Sequence, residues 1–151
     1  MDYTEAFLGR IFILRLKQDE ILHQEIEKFA AEKHVQSALC FFLGGADDLS
    51  KLVVGPQNGK AMPPEPMIKI LQGVHEGVGV GTIFTDKTGT PKLHMHASFG
   101  RENHAITGCV RIGVEVWQIG EVVMLELTGS TAKRVKNTQT GFELLETRNL
   151  P

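Results

Sequence analysis

Two histidines one residue apart, His94 and His96, lie in the segment KLHMHASFGRENHAITGCVRIG (Lys92 to Gly113), and Cys109 follows on the far side of its central turn. Imidazole nitrogen and thiolate sulfur are the donors that zinc and neighbouring divalent transition metals take. In extended chain the side chains alternate faces, so Lys92, His94, His96 and Ser98 share one face and Leu93, Met95, Ala97 and Phe99 the other. The apolar set belongs on the core, which turns both imidazoles away from it. Residues two apart on one face stand about 6.6 to 7 Å apart at Cα, a span that two imidazoles close around a single ion.

The next strand repeats the alternation. Ile106, Gly108, Val110 and Ile112 form its apolar side, and Ala105, Thr107, Cys109 and Arg111 its polar side, which is the wrong face for a core cysteine. Turning through an even-numbered loop pairs Gly100 with Ala105 and sets His96 opposite Cys109. A three-residue loop would move Cys109 to the other face, because strand side chains have period two. The even loop is expected, since the odd one takes one apolar set off the core at about 1.5 to 3 kcal/mol for each large side chain exposed. Two histidines and one thiol then converge, and three N and S ligands with a position left open are the pattern of a catalytic or ligand-binding zinc site. The same residues also read as an exposed histidine pair beside an incidental cysteine.

The remaining candidates are weaker. His75 and Glu76 (GVHEG) offer a fourth ligand or a hydrogen-bond partner to one, although a turn-exposed His-Glu pair is commoner. GVGVGT (Gly77 to Thr82) is not a phosphate-binding glycine pattern; its glycines suit close strand packing. Asp47 and Asp48 read as turn residues, and His23, His34 and His104 as solvated ones. Lys133, Arg134 and Lys136 lack interleaved aromatics and read as an exposed strand face. No Ser-His-Asp signature is present.

The elements that must position these residues follow from periodicity. Gly9 to Leu16 is a first strand, and a helix with Asp19 as its N-cap runs to about His34. SALCFFL (Ser37 to Leu43) is a buried strand, and Leu49 to Gly55 another. The proline-rich stretch Pro56 to Pro66 is a surface loop. Strands follow over Met67 to Leu71, Gly77 to Thr85, Lys92 to Phe99, Ala105 to Ile112, Val114 to Ile119 and Glu121 to Thr128, with a last pair near Ala132 to Lys136 and Gly141 to Leu145. One early helix and a run of hairpins predict an α+β fold, a mostly antiparallel sheet with one main helix packed on it.

Composition narrows the classes. At 151 residues, 42% of them hydrophobic, one domain over 1–151 can bury a core without disulfides or a structural metal. Two cysteines and no secretion signal lead to an expectation of a cytoplasmic protein. No apolar run approaches the ~20 residues of a membrane span. A net charge of −2 supplies no global field for a polyanion.

Taken together, GRIFILRL with the helix after it, FFLGGADDLSKLVVGP, GVHEGVGVGTIF, LHMHASFG, TGCVRIGVEVW, EVVMLELTG and TGFELLE resemble the PPC (plants and prokaryotes conserved) domain over nearly the whole chain. The resemblance implies a compact α+β homotrimer. It also implies a histidine cluster, H-x-H followed by Gly-His on the next strand, of which His94 and His96 match the first part. Gly108 and Cys109 stand where Gly-His would be, which keeps zinc and argues against iron- or manganese-specific chemistry. The family's DNA-binding label comes from plant members with an Arg-Gly-Arg-Pro hook, and residues 1–151 hold no such core. The leading expectation is a homotrimer binding zinc or another divalent transition metal through His94, His96 and Cys109, with hydrolase or lyase chemistry on a small molecule. The alternatives are a DNA-binding or regulatory module and a purely structural trimer.

Overall fold

The structure, a computed structural model, describes residues 1–147. Its elements are β1 (Phe7–Lys17), α1 (Leu22–Glu32), β2 (Ser37–Ala46), β3 (Lys51–Pro56), β4 (Pro66–Ile70), β5 (His75–Thr85), β6 (Pro91–Arg101), β7 (His104–Cys109), β8 (Val116–Thr128), β9 (Lys133–Lys136) and β10 (Glu143–Glu146). Eight strands form one sheet in the order β1-β8-β2-β5-β6-β7-β3-β4, every ladder antiparallel, and β9 pairs with β10 in a separate hairpin. One helix on a large antiparallel sheet is the architecture that periodicity predicts.

The helix docks by its apolar stripe. Leu22, Ile26 and Ala30 are buried in one cluster with Leu16, Phe42, Met95, Phe99 and Met124, and Phe29 sets its ring edge-on to Phe12 at 5.2 Å. The Leu93 backbone N–H donates to Glu27 Oε1 at 2.8 Å, tying α1 to β6. Asp19 does not cap the helix. It lies in the turn before it at φ 68°, and the N-cap position is Ile21, which makes no side-chain cap bond. Backbone pairing replaces the cap. Ile21 bridges to Glu115 and the Leu22 N–H donates to the Val114 carbonyl at 2.9 Å, so a donor that an Asx cap would have served is already satisfied.

The glycines of β5 serve close packing, as expected. A Cβ at Gly77 would stand 2.3 Å from the Phe99 ring, and one at Gly81 2.5 Å from Met95 Cβ. Two expected strands, Val114 to Ile119 and Glu121 to Thr128, are a single strand, β8. The glycine between them marks a bulge and not a reversal: Gly120 pairs with Gly44 and also with Leu16, and the register shifts between Gly44 and Gly45. Asp47 and Asp48 are turn residues. Asp47 Oδ1 accepts the Asp48 N–H and Asp48 Oδ1 the Gly73 N–H, at 2.7 and 2.6 Å. Among the described residues no helix is long and apolar enough to cross a membrane.

Helix α1 covers one face of the sheet. On the other, the ladders align Ile13, Val123, Phe41, Val80, His96 and Cys109 in one row across six strands. Ile13, Phe41, Val80 and Val123 of this row are exposed. Thus the histidines and an uncovered apolar surface share a face.

Candidate metal centre

Strand β6 alternates as its sequence requires: Leu93, Met95, Ala97 and Phe99 are buried, whereas His94 and His96 are exposed. The β6–β7 hairpin turns through Glu102 and Asn103, pairing Arg101 with His104, Gly100 with Ala105 and His96 with Cys109. The loop is even, so Cys109 faces the side that carries both histidines. Cys109 is only 4% exposed, yet it stands outside the main core cluster, covered by what overlies the opposite face.

Ligand atoms of His94, His96 and Cys109 all lie within 4.8 Å of one another. The imidazole rings meet edge to face, 86° between planes and 5.0 Å between centroids, with Nε2 to Nε2 at 3.3 Å. Two nitrogens each about 2.0 to 2.1 Å from one tetrahedral zinc stand about 3.3 to 3.4 Å apart, so the imidazole pair is already spaced for a shared ion. Burial pushes the His94 pKa below its ordinary value, and the positive charges of Arg134, His96 and Arg111 add to the effect. Neutral imidazole is the form that ligates a metal.

His75 and Glu76 are not brought to this cluster. Both begin β5, and His75 lies five residues from Val80, the residue opposite His96, or about 16 Å along the strand. His75 is buried and its Nδ1 is 2.9 Å from the Gly73 carbonyl, a local turn contact. Glu76 is exposed and pairs with Gly45 and Gly100. Neither is positioned to supply a fourth bond.

Two cavities flank the cluster. One of about 620 Å³ is bordered by His94, Cys109, Arg111 and Arg134, with β10 and the turn before it as its far wall. The other, about 300 Å³, is bordered by His96, Cys109 and Arg111 and by the proline-rich segment at Pro56, Pro64 and Pro66. Cys109 and Arg111 belong to both. Sequence reasoning missed Arg134. Read as part of an exposed basic cluster with Lys133 and Lys136, it is instead 7% exposed, its guanidinium 5.7 Å from the Phe84 ring. The signal was the preceding Ala132, also buried, which shares a face with Arg134 under period-two alternation.

Among solved structures, a plant- and prokaryote-conserved (PPC) protein of Pyrococcus horikoshii is similar at 26% identity and a TM-score of 0.83, over 99% of this chain and 100% of that one. A metal-containing protein of Archaeoglobus fulgidus is similar at 27% identity and a TM-score of 0.80, over 95% and 98%. A protein of Bacteroides thetaiotaomicron described as a candidate DNA-binding protein shares the fold at 18% identity and a TM-score of 0.75, over 94% and 97%. Comparison with curated proteins finds no match. Residues 3–128 match the Plants and Prokaryotes Conserved (PCC) domain, and the chain therefore belongs to that family.

Proposed function

We propose that this protein is a homotrimeric metal-binding member of its family, the whole chain 1–151 forming one domain, with zinc held by His94, His96 and Cys109. The observation that carries the reading is the convergence of two imidazoles and one thiol within 4.8 Å, the nitrogens already 3.3 Å apart. Two nitrogens and a sulfur also suit other divalent transition metals, copper(II) among them; zinc is put first because three such ligands with one tetrahedral position open are its catalytic pattern. The metal-containing relative of Archaeoglobus fulgidus lends support. Three protein ligands leave one position of a tetrahedral ion for water or a small molecule, and zinc in such a setting activates water or polarises a carbonyl, the chemistry of hydrolases and lyases. Around the ion this chain supplies the rest: Arg111 borders both cavities, and Phe142 and Leu144 add apolar lining to the larger one.

Elemental analysis of protein purified without added metal is expected to find close to one zinc per chain, and His96→Ala and Cys109→Ser to reduce it below half. Metal-free protein that also ignores added zinc overturns the reading.

Trimerisation rests on the resemblance and on the uncovered row of Ile13, Val123, Phe41 and Val80 on the face away from α1. A closed ring buries such a face without leaving strand edges open to aggregation. The DNA-binding alternative has less behind it. With Arg134 buried, Lys133 and Lys136 make no basic face, and the likeness to the Bacteroides protein extends to the fold. Absence of any random-duplex binding at low salt disposes of that alternative.

A further inference from the structure

Arg134 is a buried cation with no counter-ion in contact among the described residues. Its Nη2 donates to Thr82 Oγ1 at 2.9 Å, its Nε has no partner, and among the described residues no carboxylate lies within 4.0 Å of it. A guanidinium carries five N–H donors, and a buried charge is ordinarily paired. Burial depresses its pKa, and the negative charge of Glu143 acts in the opposite direction. Arg134 borders the cavity of about 620 Å³ beside His94 and Cys109, and Lys92 and Arg111 border it as well. Three cationic side chains thus face one carboxylate, Glu143. Phe142 and Leu144 supply apolar wall on the other side, and the Phe142 ring holds the Arg111 guanidinium 5.7 Å above it.

We infer that this cavity is an oxyanion subsite, in which Arg134 and Arg111 take the carboxylate or phosphoryl group of a small, partly apolar organic ligand next to the metal position. The inference rests on the proposed metal site for its setting and deepens it by naming the ligand class. The planar guanidinium fork matches both kinds of oxyanion in bidentate fashion, an unpaired buried guanidinium is ready for one without rearranging its own ion pairs, and the apolar wall accommodates a short hydrocarbon portion. Net attraction for an anion comes from the three cations, Lys92, Arg111 and Arg134, which outnumber the one carboxylate, Glu143.

The test uses the full chain loaded with cobalt(II), whose visible absorption reports both thiolate ligation and the fourth position, titrated with inorganic phosphate in one arm and butyrate in the other. Calorimetry of the same titrations on metal-free protein runs in parallel. Wild-type protein is expected to bind at least one of the two anions saturably, and the tighter arm names phosphoryl or carboxylate as the group recognised. Arg134→Gln is expected to keep the cobalt spectrum and weaken the anion at least tenfold, Arg134→Lys to fall between, and Lys133→Gln, on the neighbouring exposed position, to bind as wild type. Should Arg134→Gln fail to fold, Arg111→Gln decides, with the same tenfold loss expected. Failure to take up cobalt sinks the metal reading alone, since Arg134-dependent heats in metal-free protein still support the subsite. Absence of saturable binding of either anion in both forms overturns the inference. Binding untouched by Arg134→Gln and Arg111→Gln overturns it too, as does an Arg134→Gln protein that loses cobalt but not anion, which would make Arg134 a partner of the Cys109 thiolate only.

Discussion

Cys40 and Cys109 are both buried, yet they occupy opposite faces of the sheet and have different prospects. Cys40 stands in the helix-side core beside Met95 and Met124, with no exposure, and burial pushes its thiol pKa up to about 12. A thiol so shifted has almost no thiolate at neutral pH, and thiolate is the reactive and ligating form. Mass spectrometry of folded protein treated with iodoacetamide at pH 8 is therefore expected to find Cys40 unmodified, and to find it labelled after denaturation. Labelling of Cys40 in the folded state would contradict the packing described. Cys109 instead borders the two cavities of the other face, together with Arg111 and Phe142.

At the level of elements, β5 works as a platform because it lacks side chains where β6 needs room. Phe99 is fully buried with its ring over Gly77, so Gly77→Val forces overpacking and is expected to destabilise the fold by about 1 to 3 kcal/mol, read as a lower urea midpoint. An unchanged midpoint would show that β5 and β6 can part there at no cost. The outer pair β1 and β8 is joined by charge as well as by its ladder: Arg10 Nε and Nη2 donate to the two oxygens of Glu126, each at 2.6 Å. Those bonds hold the Glu126 carboxyl below its ordinary value of 4.5. A carboxyl that titrates lower in the folded chain than in the unfolded one stabilises the fold above pH 4.5 and loses that contribution as pH falls through the folded value. Glu126→Gln is thus expected to be less stable than wild type at pH 7, with the gap closing toward pH 3, by urea titration at the two pH values. A gap equal at both would assign the effect to packing.

On the scale of the whole molecule, α1 covers one face of the sheet, and the β9–β10 hairpin covers only part of the other. Phe41 and Val80 pair on its far face and extend the row that ends at His96 and Cys109, so whatever covers that surface stops beside the candidate metal centre. In the proposed trimer the cover is another copy of the chain. Light scattering is expected to give a particle of three times the 16.7 kDa chain mass, and Phe41→Glu to yield smaller species by placing a charge in the contact. A concentration-independent monomer mass for the wild-type protein contradicts the trimer.

Local rules were enough for much of this. Alternation along Lys92 to Phe99 and Ala105 to Ile112 decided which side chains face the core, and because period two admits only two answers, core burial selected the even loop that sets His96 opposite Cys109. The early helix and the close-packed glycines of β5 were legible for the same reason, since each is a statement about near neighbours in the chain. What required the tertiary structure was decided by strand order. His75 lies in the same strand as Val80, but its distance from the metal position depends on how β5 registers against β6. Asp19 lost its capping role to backbone pairing with Val114 and Val116, almost a hundred residues away. Arg134 is buried because β9 and β10 fold over the face opposite α1, with Arg134 bonded to Thr82 of β5, and no local pattern states which surface a terminal hairpin will cover. Side-chain period is a property of the strand itself, whereas cover and counter-charge come from segments distant in sequence, and the free energy that brings them together is settled only when the whole chain packs.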